Sequence, residues 1–185
     1  MVKELLEDAK RRMAKSVETF KNEVARVRTG RASVALLDGI KVDYYGTQMP
    51  LNQMATITVQ DARLIVVQPW DVSAISAIEK AIQRAELGLN PVNDGKIIRI
   101  SVPPLTEERR KELVKMVRKM AEEARVAVRN VRRDILNDLK DLKKEGEISE
   151  DDFYRAQEQL QKITDEYIGK IDDILAQKEK DIMTV

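Results

Sequence analysis

The segment 105–145 contains neither proline nor glycine, and its apolar residues return every three or four positions. Leu113, Val117, Met120, Ala124, Val128, Val131, Ile135 and Leu142 make one stripe, the pattern of an amphipathic helix. Thr106 suits the N-cap, and Glu107 and Glu108 sit where the positive end of the helix dipole favours acids. Gly146 suits the position just past the end. A helix of about 40 residues would be a rod of about 60 Å at 1.5 Å per residue. Such a rod cannot bury its stripe against itself, so the rest of the chain must supply packing partners.

Two further segments have the same character. Residues 2–28 carry Leu5, Leu6, Ala9, Met13, Val17, Phe20, Val24 and Val27 at helical spacing. Beyond Gly146, Ser149 and Asp152 stand at capping-box spacing, with Ile148 and Phe153 placed as a hydrophobic staple. A last helix then presents Phe153, Ala156, Leu160, Ile163, Tyr167, Ile171 and Ile174 on one face. The economical assembly is a three-helix bundle, antiparallel across the short reversal at Gly146 and discontinuous in sequence.

The rhythm between the first helix and Thr106 is different. Ile40–Tyr45, Ala55–Val59, Arg63–Gln68 and Ile97–Val102 read as strands, and Ser73–Ala85 reads as a short helix with Ile75, Ile78, Ala81 and Ile82 on its buried side. Strands and one helix make a small α+β domain, inserted into the bundle. The expected boundaries are residues 1–30 with 105–185 for the bundle and 31–104 for the insert. Thr29, Gly30 and Arg31 at one crossing, and Val102, Pro103 and Pro104 at the other, are the expected hinge, since glycine is permissive and paired prolines are stiff.

Composition narrows the function. The chain has no cysteine and no histidine. Disulfides, thiolate nucleophiles and the commonest general base and metal ligand are therefore excluded. The acid pairs Glu107/Glu108 and Asp151/Asp152 fall in helix first turns, where capping explains them. The chain is therefore not expected to be an enzyme, and no cofactor or metal is expected. Trp70 reads as core or rim packing rather than a ligand site. The amino terminus lacks the apolar run of a secretory signal, and no later segment reaches the length of a membrane span. These features predict a cytoplasmic monomer with no membrane association.

The net charge of +1 is unevenly spread: +4 over residues 1–31, −1 over 32–105, +4 over 106–145 and −6 over 146–185. On the long helix Arg118, Arg125, Arg129 and Arg132 fall within roughly 60° of one another, apart from the apolar stripe. Repeated guanidinium forks on a rigid rod suit an array of backbone phosphates. The same pattern is also met by neutralisation between neighbouring helices. A coiled-coil adaptor or chaperone that binds proteins through its helices is the alternative function.

Several motifs point the same way. R-T-G-R-A-S at 28–33, L-D-G-I-K-V-D-Y-Y-G at 37–46, G-L-N-P at 88–91, P-P-L-T-E-E-R-R-K at 103–111 and E-I-S-E-D-D at 147–152, with the arginine segment, resemble bacterial ribosome recycling factors along the whole chain. The resemblance implies an L-shaped, tRNA-like molecule whose inserted domain is a β/α/β sandwich. It also implies binding to the post-termination 70S ribosome between the subunits, against large-subunit rRNA. Elongation factor G, carrying the GTP, would then drive splitting into subunits and release from mRNA. It assigns Arg110, Arg129 and Arg132 to rRNA contact, with Arg28 and Arg31 near the hinge. Arg125 and Arg133 join them by helical position.

Overall fold

The computed structural model describes residues 1–184 and divides into two compact units. The first contains Met1–Val24 and Val114–Asp181; the second contains Ala25–Leu113, joined by the chain from Ile182. These divisions differ from the 30/31 and 104/105 boundaries expected from composition. The first falls one residue before the end of the first helix and the second inside the long one.

Three helices supply the first unit: α1 (Val2–Ala25), α3 (Glu107–Lys144) and α4 (Glu150–Met183). Their stripes meet in one core. Ala9, Met13, Val17, Phe20 and Val24 of α1 pack with Ala121, Val128, Ile135 and Leu139 of α3 and with Phe153, Ala156, Leu160 and Ile171 of α4. Each fully buried valine, leucine, isoleucine, methionine or phenylalanine among them contributes about 1.5–3 kcal/mol, and tertiary packing of this kind supplies most of a helix's stability. The buried polar side chain, Thr164, donates its hydroxyl to the carbonyl of Leu160 at 2.8 Å.

The ends of the long helices follow the chemistry of the caps. Thr106 Oγ1 accepts from the Arg109 N–H at 3.1 Å, and Ser149 Oγ accepts from the Asp152 N–H at 3.0 Å. Gly146 has φ +75°. Its N–H donates to Lys143 O at 3.1 Å and the Glu147 N–H donates to Leu142 O at 2.9 Å, the paired bonds of a Schellman stop. At the end of α1 the structure stops the helix at Ala25, three residues before the expected Arg28. There Val27 is buried and Arg28 Nη2 reaches the Pro103 carbonyl at 3.1 Å; these contacts outweigh the last helical turn.

The second unit contains six strands where the sequence pattern predicts four. They are β1 (Lys41–Tyr44), β2 (Thr47–Pro50), β3 (Ala55–Asp61), β4 (Leu64–Pro69), β5 (Asn90–Asn93) and β6 (Ile98–Ser101), with α2 (Ile75–Arg84) between β4 and β5. β1 and β2 form a hairpin, and the other four form an antiparallel sheet in the order β3-β4-β6-β5. α2 packs against β1 of the hairpin and β5 of the sheet, which makes the β/α/β sandwich. Ile65 and Val67 of β4, Ile98 and Ile100 of β6, and Ile75, Ile78 and Ile82 of α2 fill its core with Val42 and Leu51. β2 and β5 lack a predictive pattern because each has four residues and a proline; their pairing partners make them strands.

The hairpin loop is Tyr45-Gly46, flanked by the pair Tyr44 and Thr47. Both loop residues have positive φ, +49° and +79°, as a type I′ turn requires. No helix of the described residues is long and apolar enough to cross a membrane.

Candidate nucleic-acid interface

The arginine face of α3 lies within the first unit and is partly satisfied by the chain itself. Arg125 Nη2 stands 2.7 Å from Asp172 Oδ1 of α4, and its Nη1 stands 3.1 Å from Glu122 Oε2. Glu122 also meets Arg129 Nη1 at 3.3 Å. Arg118 Nε is 2.5 Å from Glu179 Oε1 of α4. The hydrogen bond to Glu179 raises the Arg118 pKa, and the bond to Asp172 raises that of Arg125. Neutralisation between helices, one of the two readings of the charge pattern, therefore holds for Arg118 and Arg125, while Arg129 is met by Glu122 of its own helix.

The register behind these pairs is simple. Arg118 and Arg125 are seven residues apart on α3, and Glu179 and Asp172 are seven apart on the antiparallel α4. The next rung would join Arg132 to Asp165, but Asp165 Oδ1 accepts from Gln161 Nε2 at 2.9 Å instead. Arg132 is half-buried and Arg133 exposed, and among the described residues no acid or carbonyl bonds either of them. The charge ladder is closed toward the amino end of α3 and open at Arg132.

Open and closed rungs differ less than the distances suggest. Ion pairs at the surface contribute about 0–1 kcal/mol, whereas guanidinium-phosphate pairs form two charge-assisted bonds in one plane. A polyanion can therefore displace Glu122 from Arg129 at small cost.

The remaining predicted residues belong to the second unit. Arg28 is spent on the chain: besides its bond to Pro103, Nε is buried without a partner, and burial followed by the nearby charge of Arg109 lowers its pKa. Arg110 is half-buried, also with Nε enclosed and unpartnered. Arg31 is exposed and lines, with Arg63 and Arg110, a hollow of about 300 Å³. Arg63 escaped the sequence reading because it opens a strand pattern; among the described residues no acid forms an ion pair with it.

Of the expected hinge residues, Gly30 has φ +80°, and a Cβ built there would lie 3.5 Å from Leu105. Val102 is buried and its N–H donates to the Arg63 carbonyl at 2.8 Å. Thr29 and Pro104 line the same hollow as Arg31. Among the described residues no group of acids is arranged to hold a metal ion.

A family model described as ribosome recycling factor matches residues 20–183. The chain belongs to the ribosome recycling factor family. A relative from Nitratidesulfovibrio vulgaris (strain DP4), a ribosome-recycling factor, is 59% identical over 181 residues, covering 98% of this chain and 97% of its own length. A ribosome recycling factor solved in solution superposes with a TM-score of 0.81 at 50% identity, covering 100% of this chain and 98% of its own. A further match has a TM-score of 0.70 at 52% identity and covers both chains completely. It comes from models of the T. thermophilus recycling factor and E. coli elongation factor G bound to the E. coli post-termination complex. The α+β fold and the recycling-factor resemblance expected from the motifs are both borne out.

Proposed function

We propose that this chain recycles ribosomes after termination: it binds the post-termination 70S ribosome between the subunits, laying the arginine face of α3 against large-subunit rRNA. Elongation factor G, with GTP on that partner, then splits the complex into subunits and frees the mRNA. The observation that carries this reading is the open end of the charge ladder, where among the described residues no acid bonds Arg132 or Arg133. The named complex of the neighbouring structure supports it. Arg129 and Arg125 join by exchanging Glu122 for phosphate, and Arg110 and Arg31 add contacts from the second unit. Arg28 is a brace. Thr29–Arg31 and Val102–Pro104 are the proposed hinge, and the bundle residues 1–30 with 105–185 form the ribosome-binding arm, with 31–104 as the mobile domain.

In this reading the chain is a cytoplasmic monomer and performs no bond chemistry itself; it needs no cofactor. The adaptor alternative would require an apolar groove beside the core stripe, and the flank of α3 carries Arg118, Arg125, Arg129 and Arg132 instead. Sucrose-gradient analysis of post-termination ribosomes with this protein, elongation factor G and GTP tests the proposal. Conversion of the 70S peak into subunits is the expected result; an intact 70S peak with no co-sedimenting protein refutes it.

A further inference from the structure

Three arginines of the second unit share one hollow with no acid to meet them. Arg31, Arg63 and Arg110 line this space of about 300 Å³, and no carboxylate is among the described residues that line it. Each arginine comes from a different segment. Arg31 lies on the crossing after α1, Arg63 in the turn between β3 and β4, and Arg110 in the first turn of α3. Backbone bonds hold these segments in place. The Ala32 N–H donates to the Ala62 carbonyl at 2.6 Å, the Val102 N–H to the Arg63 carbonyl at 2.8 Å, and the Arg110 N–H to the Thr106 carbonyl at 3.0 Å. The fold therefore assembles the cationic walls before any ligand arrives, which lowers the ordering cost of binding.

Arg110 adds a second observation. Its Nε is buried with no hydrogen-bond partner among the described residues, and a donor enclosed in that way is costly to leave unpaired. Acids close by in sequence are engaged elsewhere. Asp61 Oδ1 accepts from the Ala62 N–H at 2.6 Å, Glu107 Oε1 stands 3.7 Å from Lys111 Nζ, and Glu112 Oε2 stands 2.9 Å from Arg109 Nη1. Like charges gathered without a counter-charge repel one another, so the arrangement calls for an anion from outside the chain.

Size and the number of donors decide which anion fits. The hollow lies at the lower limit of ligand pockets and admits one small group. A carboxylate offers two oxygens and a single charge, enough for one guanidinium fork. The phosphodiester of a nucleic-acid backbone also carries a single charge, and both of its ends must leave the hollow through sugars. A terminal phosphate carries about −1.5 to −2 charges at pH 7 and three strong acceptor oxygens. That supplies an oxygen for each arginine and needs only one exit.

We propose that the Arg31–Arg63–Arg110 hollow is a binding site for a small terminal phosphate, of the kind carried by pyrophosphate and by free nucleotides. Where the function proposed above holds, occupancy withdraws Arg31 and Arg110 from rRNA; binding itself is measured without ribosomes and so fails separately from that reading. The test titrates the full-length chain, Arg63→Gln and Arg84→Gln with pyrophosphate by calorimetry, and follows the arginine Nε–H signals by NMR. Arg63→Gln keeps the backbone carbonyl that the Val102 N–H uses, and Arg84→Gln removes the same charge from an exposed site at the end of α2. The expected result is one pyrophosphate per chain, a shifted Arg110 Nε–H signal, binding at least tenfold weaker for Arg63→Gln, and no change for Arg84→Gln. Dimethyl phosphate, which stands in for the backbone diester, binds the wild-type chain at least tenfold more weakly than pyrophosphate. Equal losses in the two variants, or the absence of saturable binding, overturn the proposal. Dimethyl phosphate binding as tightly as pyrophosphate also overturns it, and gives the hollow to a nucleic-acid backbone.

Discussion

Arg125 and Asp172 join α3 to α4 through a 2.7 Å ion pair, and Arg118 and Glu179 repeat the bond seven residues away on each helix. The periodic pairing matches the register of the two packed helices and stops short of Arg132, the next position seven residues along α3.

Arg132→Ala should lower ribosome affinity about tenfold, roughly 1.4 kcal/mol, with no change in unfolding temperature. Loss of one phosphate contact should also reduce the slope of log affinity against log salt by about 1. Co-sedimentation across a salt series reads both quantities, and an unchanged slope would remove Arg132 from the interface.

Glu122→Gln should act in the opposite direction. The acid holds Arg125 and Arg129 at 3.1 and 3.3 Å, so neutralising it frees both for phosphate. Ribosome affinity should rise at low salt, while stability falls by no more than about 1 kcal/mol. Weaker binding by the variant would show that Glu122 orients the arginines rather than competing for them.

Gly146→Ala isolates a backbone effect. A Cβ there meets nothing within 4 Å, but φ is +75°, so the cost is conformational, on the order of 1 kcal/mol. Urea unfolding should show the loss as a lower midpoint with an unchanged slope.

The Tyr44–Asp71 bond makes a titration visible. The hydrogen bond to Asp71 pushes Tyr44 up to about 12, and the bond from Tyr44 lowers the Asp71 pKa. For Tyr44 the folded pKa lies above the unfolded one, so its contribution is complete below the ordinary tyrosine range and disappears as pH rises toward 12. For Asp71 the sign reverses, and its contribution is lost as pH falls through the lowered pKa. Ultraviolet titration should find one of the four tyrosines ionising late, and Asp71→Asn should return it toward the others.

The long helices were legible because their period, caps and stop signals agree over many turns: Thr106, Gly146 and Ser149 each do what their side chains favour. The strands β2 and β5 were not, since Thr47–Pro50 and Asn90–Asn93 become strands only through neighbours distant in sequence. The arginine face was half legible. Helical spacing gathers Arg118, Arg125, Arg129 and Arg132, but the engagement of Arg118 with Glu179 and of Arg125 with Asp172 depends on how α4 lies against α3. Arg28 looked like part of a basic cluster, and only the Pro103 carbonyl reveals it as a brace. Trp70 proved to be rim rather than core, its indole N–H held by Thr56 and its ring left open.

The discontinuous bundle also fixes an order of events at birth. α1 leaves the ribosome first, yet the residues that cover Met13, Val17 and Phe20 are made only after residue 114 and are not complete until Ile171. At about 5–20 residues per second of synthesis, that apolar stripe waits several seconds or longer without its partners. The small domain can close meanwhile, since its core is local to 36–102. The nascent chain must therefore carry an unsatisfied helix through most of its own translation, until the docking of α3 and α4 covers that stripe.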